Sequence, residues 1–193
     1  MMARAAEGAP RIEVRSRAEL RDWLAGNHGL GDSVWLVTFK KHMPDYLPYG
    51  DLIEELLCWG WIDSQTRGVD ADRTSVLIAP RNPKSAWSAV NKAKVEAARA
   101  SGAMTEAGER LVRIAQENGM WTFLDDVDRL EVPDDLAAAL GDLRAAWDAY
   151  PRSVRRGTLE WIKTAKADQT RATRIAGVVT SLHAGLRPPP FRR

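Results

Sequence analysis

Apolar positions recur along the chain with two periods, and each period predicts an element. From Val34 to Lys41 the run Val34-Trp35-Leu36-Val37-Thr38-Phe39 is almost wholly β-branched or aromatic, which predicts a strand covered on both faces. Ile12-Glu13-Val14 alternates and predicts a short strand. Ser16-Arg17-Ala18-Glu19 has the spacing of a capping box, and Leu20, Trp23 and Leu24 behind it make a helical stripe ended by Asn27-His28-Gly29. Leu52, Ile53, Leu56 and Leu57 predict a helix starting near Gly50, with Asp51, Glu54 and Glu55 toward its positive end. Thr66–Val69 and Thr74–Ala79 read as a hairpin around Asp70-Ala71-Asp72-Arg73. After Pro80-Arg81-Asn82-Pro83 one helix starts near Ser85 or Ser88 and runs to Ser101-Gly102, and another runs from Thr105 to Asn118-Gly119.

Beyond residue 121 the period is helical throughout. Asp134 caps a helix carrying Leu136, Leu140, Leu143 and Trp147; Pro151 opens the next, and Asp168 caps the last, which Gly185 ends. The fold class predicted is α+β: a small, mainly antiparallel sheet with packed helices, followed by a helical C-terminal third. Its expected divisions are a disordered N-terminus at 1–10, an α+β domain with a pocket at 11–121, an acidic connection at 122–133, a helical segment packed on the domain at 134–186 and a flexible, non-helical tail at 187–193.

Composition narrows the functional classes. No run approaches the roughly 18 apolar residues of a membrane helix, so no membrane partner is expected. The N-terminus lacks the apolar core of a secretory signal, and Cys58 is the only cysteine. Both lead to an expected cytoplasmic location. His28, His42 and His183 lack metal-ligand spacing, and no cofactor fingerprint is present, so neither metal nor cofactor is expected. The net charge of +2 conceals an asymmetry. Residues 1–121 balance, 122–150 carry a net −6 and 151–193 a net +8. Such a basic segment suits a polyanion, through Arg152, Arg155, Arg156, Lys163, Lys166, Arg171 and Arg174. The plainer reading lays the acidic and basic stretches against each other, and nucleic acid is not the favoured partner.

Eight tryptophans against three phenylalanines is an uncommon balance. Two stretches concentrate the candidate chemistry. In Cys58-Trp59-Gly60-Trp61-Ile62-Asp63 a helix ends in a glycine between two indoles, a turn able to aim Trp61 and Asp63 into one cavity. In Arg81-Asn82-Pro83-Lys84-Ser85-Ala86-Trp87-Ser88 cations meet a helix N-terminus, which suits an anion. The candidate ligand-binding residues are Lys40, Tyr49, Trp59, Trp61, Asp63, Arg81, Ser85, Trp87 and Asn91, with Asp63 the candidate catalytic base. The structural alternatives are core tryptophans, Asp63 in a turn, and Ser85 or Ser88 as an ordinary cap. Cys58 beside leucines reads as buried and inert.

Tyr49–Asp63, Ala79-Pro80-Arg81 and Ser85–Asn91, together with Pro151-Arg152-Ser153, Trp161-Ile162, Ala165-Lys166 and Thr170–Ile175, resemble the YdeI/OmpD-associated, bacteriocin-protection family over about residues 12–185. The resemblance implies a role in tolerance to bacteriocins or other antimicrobial agents and brings no catalytic residues with it. Some members are described as periplasmic, whereas this chain shows no export signal. The expected function is cytoplasmic binding of a small organic molecule or peptide, anionic or aromatic, in stress or antimicrobial tolerance. The alternatives are a hydrolase using Asp63, with Arg81 or Lys40 stabilising negative charge, and a nucleic-acid module using the basic helices. The sequence leaves the oligomeric state open.

Overall fold

The run at Val34–Phe39, which has no polar face, becomes the strand that nothing leaves exposed. A computed structural model describes residues 8–192. Four strands, β1 (Arg11–Glu13), β2 (Val34–Phe39), β3 (Trp61–Gly68) and β4 (Arg73–Pro80), pair in the order β1-β2-β4-β3. β1 runs parallel to β2, and the other two pairings are antiparallel. β2 is buried at every position, as an interior strand covered on both faces must be. Pro10 already belongs to this sheet, its carbonyl accepting the Trp35 N–H at 2.8 Å, and Ala9 packs near Trp35. The disorder expected at 1–10 therefore fails for residues 9 and 10; positions 1–7 lie outside the described residues.

The described residues form two compact units that divide between Thr122 and Phe123. In the first, α1 (Arg17–Asn27), α2 (Tyr49–Cys58), α3 (Ala89–Ala100) and α4 (Glu106–Glu117) accompany the sheet. Val34, Leu36, Val76 and Ile78 share one core with Leu20, Leu24, Leu52, Leu56, Trp61, Trp87, Val95 and Val112. Strand alternation sends Trp35, Val37 and Phe39 to the other face. There arginines act as covers: the Arg67 guanidinium lies 4.6 Å from the Trp35 ring, and that of Arg15 5.0 Å from Phe39. The capping box forms in part. Ser16 accepts the Glu19 N–H, but the Glu19 carboxylate reaches the Arg15 N–H rather than the cap's own amide.

The second unit is helical: α5 (Asp125–Arg129), α6 (Asp134–Leu140), α7 (Arg144–Asp148), α8 (Arg152–Lys163) and α9 (Asp168–His183). The acidic stretch expected as a connection thus contains a helix of its own. The caps expected at Asp134 and Asp168 are corrected: both are first helical residues behind Pro133 and Ala167, without a side-chain cap bond, where their charge suits the helix's positive end. The apolar spacing from Leu136 to Trp147 predicts one helix, but the chain breaks at Gly141, whose φ of +45° glycine adopts without a side-chain clash. Leu136, Leu140 and Trp147 are nevertheless all buried, so two short helices satisfy the same stripe. The tail is corrected too. Pro189–Phe191 makes a 3-10 turn, Pro188 is buried, and the Phe191 ring occupies the space that Gly157 leaves open. Prolines preset φ for a single tight turn even though they cannot continue a helix.

Candidate functional site

Everything in the first unit's candidate site depends on how α2 ends. The Trp59 and Gly60 amides close the last turn onto Leu56 and Leu57 carbonyls, and Gly60 takes φ +74°. This left-handed step lets Trp61 begin β3 directly. Gly60 also sits close to α4, where a Cβ would stand 3.1 Å from the Ala107 carbonyl. The α2 C-terminus is capped from α4's first turn: Thr105 donates its hydroxyl to the Cys58 carbonyl at 2.5 Å.

The two indoles flanking Gly60 have different environments. Trp61 is fully buried, donates Nε1–H to the His28 carbonyl at 3.0 Å and stands edge-on to Trp23. Trp59 is half-buried, with its ring centroid 5.1 Å from that of His28 and Nε1–H donating to Glu55 at 3.1 Å. Glu55 is itself buried and accepts from Arg17 and Arg21 at 2.8 Å each. Trp87 is buried in the same core as Trp61 and tilts onto Trp121 at 5.2 Å. Trp61 and Trp87 thus both belong to one buried core, and neither lines the cavities described below. The hollow expected between them is replaced by core, because indoles this large contribute most when dehydrated on all sides.

The remaining candidates separate into two concave places. A groove of about 270 Å³ is lined by Lys40, Lys41, Tyr46 and Tyr49 over Thr38, Leu47 and Val76. Asp63 lies near its Tyr49 rim, accepting the Tyr49 hydroxyl rather than backbone amides. Burial first, and the Asp63 carboxylate second, hold the Tyr49 phenol well above its ordinary range. A register shift between Asp63 and Thr66 marks an irregularity of β3 there, of the kind that re-aims side chains. Lys40 Nζ is occupied by the Asp70 carbonyl at 2.6 Å.

The second place is a cleft of about 200 Å³ lined by His28, Trp59, Pro80, Arg81, Pro83 and Arg110, with Leu111 and Ile114. Arg81 is only 3% exposed. Its Nη2 donates to the Ala86 carbonyl at 2.6 Å, and its guanidinium carbon lies 3.9 Å from the Trp87 ring centroid. Nε and Nη1 are buried without a partner. Burial pulls the Arg81 guanidinium down to about 10, against the opposing pull of Asp63. The expected anion seat at a helix start takes another form. Ser88 caps α3 by accepting the Asn91 N–H, while Ser85 N–H closes a turn onto Asn82. The sequence reading missed His28, taken only as part of a helix stop, and Arg110, an exposed side chain one turn into α4. Arg110 lies on the turn after the glycine that brings α4 against α2, the one sequence sign of its place.

Larger concavities carry less chemistry. One, of about 580 Å³, is lined by Arg17, Arg21, Glu54 and Glu55, whose charges already pair. Another, of about 600 Å³ in the second unit, has Arg171 and Asp135 on its wall, paired at 2.6 Å. The charge asymmetry resolves in the same way. Asp126 pairs with Lys163, Asp128 with Arg156 and Asp148 with Arg155. The Arg152 guanidinium donates to the Asp128 carbonyl, and Arg174 to that of Trp161. A phosphate backbone would have to displace these partners. Among the described residues no group of three or more His, Cys, Asp or Glu is placed to hold a metal ion, and no helix is long and apolar enough to cross a membrane.

Cys58 shows no solvent exposure, and its thiol is pushed up to about 11, by burial first and by Glu55 next, with Arg17 and Arg21 opposing. The raised value favours the protonated thiol in the folded state. Its stabilising contribution is present below about pH 9 and lost as pH rises toward 11. In a disulfide-exchange assay at pH 8, native protein should react at least about a hundredfold more slowly than urea-unfolded protein. Equal rates would place the thiol at the surface.

Two family descriptions match the chain. Residues 12–111, over half of it, match the family described as "Domain of unknown function (DUF8412)". Residues 129–185 match the family described as "Bacteriocin-protection, YdeI or OmpD-Associated". No curated protein and no solved structure matches the chain. The bacteriocin-protection resemblance therefore rests on the C-terminal segment, whereas the motifs at 49–63 and 79–91 fall inside the other match. Residues 129–185 of the second unit are similar to the bacteriocin-protection family, and the chain itself belongs to the family of the domain of unknown function DUF8412.

Proposed function

We propose that the first unit binds a small organic molecule or peptide, in the cytoplasm, and that this sequestration serves stress or antimicrobial tolerance. The observation that carries the reading is the cleft beside Gly60, where an aromatic wall of Trp59 and His28 meets the cations Arg81 and Arg110. Apolar walls with a few convergent polar groups are the usual makeup of a ligand site. The family description of the second unit supports the protective role. A single cysteine, which permits no intrachain disulfide, supports the cytoplasmic setting.

Titration with a panel of aromatic and peptide antibiotics, followed by tryptophan emission and thermal unfolding, tests the reading. A ligand at a hundredfold excess over its Kd should stabilise the fold by about 2.7 kcal/mol. Its emission change should shrink in Trp59→Phe, because Trp59 is the tryptophan on the cleft wall. A panel that changes neither emission nor melting temperature would exclude the reading.

A further inference from the structure

Among the described residues of the first unit, Arg81 is the one buried charged side chain with no oppositely charged partner. Its guanidinium carries five N–H donors in a fixed fork. One arm bonds the Ala86 carbonyl, one face rests on Trp87, and Nε and Nη1 have no partner. No carboxylate forms an ion pair with it, and Asp63 acts on it only through space. An uncompensated charge shielded from water acts strongly on whatever enters beside it.

The wall of the same cleft supplies the rest. Arg110 is exposed at its rim and makes no ion pair among the described residues. Trp59 and His28 form the aromatic side, while Pro80, Pro83, Leu111 and Ile114 complete an apolar lining. No acidic residue lines the cleft. Its volume equals roughly the liquid-state share of seven waters, which suits a single substituted ring rather than a drug-sized molecule.

Resting on the binding reading above, we propose that this cleft selects aromatic carboxylates. The ring lies along Trp59 and His28, the carboxylate pairs directly with Arg110, and the buried charge of Arg81 favours the anion from below. Arg81 needs no direct contact for this, since it lines the cleft while itself only 3% exposed, and a charge so shielded is weakly screened.

Calorimetry and NMR with benzoate, benzamide, benzylamine and cyclohexanecarboxylate provide the test. Benzoate should bind about tenfold more tightly than benzamide, and benzylamine should bind more weakly still. Cyclohexanecarboxylate should lose the part of the affinity that ring stacking supplies. Arg110→Glu, on an exposed side chain, should erase the preference for benzoate over benzamide. Benzoate should also shift the Arg81 Nε–H resonance of the native protein, a readout that does not depend on a substitution in the core. Equal affinity for benzoate and benzamide, or an Arg110→Glu variant that keeps the preference, overturns the proposal. If the antibiotic panel binds and none of the four probes does, carboxylate selection fails and the binding reading stands. If both sets are silent, both fail.

Discussion

Gly108→Ala should destabilise the first unit by about 3 kcal/mol, the cost of forcing backbone apart rather than of losing a contact. A Cβ at Gly108 would stand 2.5 Å from the Cys58 carbonyl oxygen and 2.7 Å from that of Leu57. These atoms are the last turn of α2, already held by the Thr105 hydroxyl. They cannot rotate away as a side-chain tip would. Gly26→Ala is the matched control: it lies within α1 with nothing inside 4 Å of the added carbon. That change should stabilise by up to about 1 kcal/mol, since alanine loses less chain entropy in a helix. Urea unfolding of the two variants checks both signs. A Gly108→Ala midpoint equal to that of the parent protein would mean that α4 does not dock backbone to backbone on α2.

The second large effect is expected at Trp61. Trp61→Ala should cost about 3–5 kcal/mol, the range for emptying a buried aromatic site. Trp61→Phe should cost about 1–2 kcal/mol, because it keeps most of the volume and leaves the His28 carbonyl without its donor. The comparison also separates two roles for this residue. As core, Trp61→Phe alters stability and leaves the affinity of any cleft ligand unchanged. As a ligand wall, it would change affinity in proportion to stability or beyond it. Parallel unfolding and titration of this one variant decide between the two.

The strands and most helices of the first unit follow from local pattern. Val34–Phe39 has no polar face to turn toward water, so burial on both sides was legible before any pairing was known. Ser16, Ser88 and Thr105 cap helices whose apolar stripes begin just beyond them, and a cap acts within one turn. The misreadings share a cause. Leu136 to Trp147 has one apolar stripe whether the helix is continuous or interrupted at Gly141, because periodicity reports which face is buried and not whether the backbone between is unbroken. Pro188–Phe191 looks like a free tail until Gly157 opens a space for the ring. That fit lies more than thirty positions away in the chain.

The candidate site shows the same division. Gly60 as a left-handed turn, the tryptophans as large apolar groups and Arg81 as a cation near a helix start were readable from residue type and order. Whether an indole faces a ligand or the core was not, because Trp59 and Trp61 differ by two positions and have the same composition around them. The sheet register and the docking of α4 bury one completely and leave the other half-exposed beside His28. Likewise nothing local distinguishes Arg81, shielded from water with donors unmatched, from Arg171, which Asp135 neutralises.

By itself the sequence determined the fold class, the helix and strand periods, the caps at Ser16, Ser88 and Thr105 and the opposing charges of the second unit's segments. All of these depend on interactions within a few residues or on composition. Tertiary structure alone decided which tryptophans are core, which acids neutralise which bases, and that His28 and Arg110 join Trp59 and Arg81 around one cleft. Those outcomes depend on where distant backbone segments come to rest, and desolvation, which sets the strength of every charge and ring involved, exists only once they have done so.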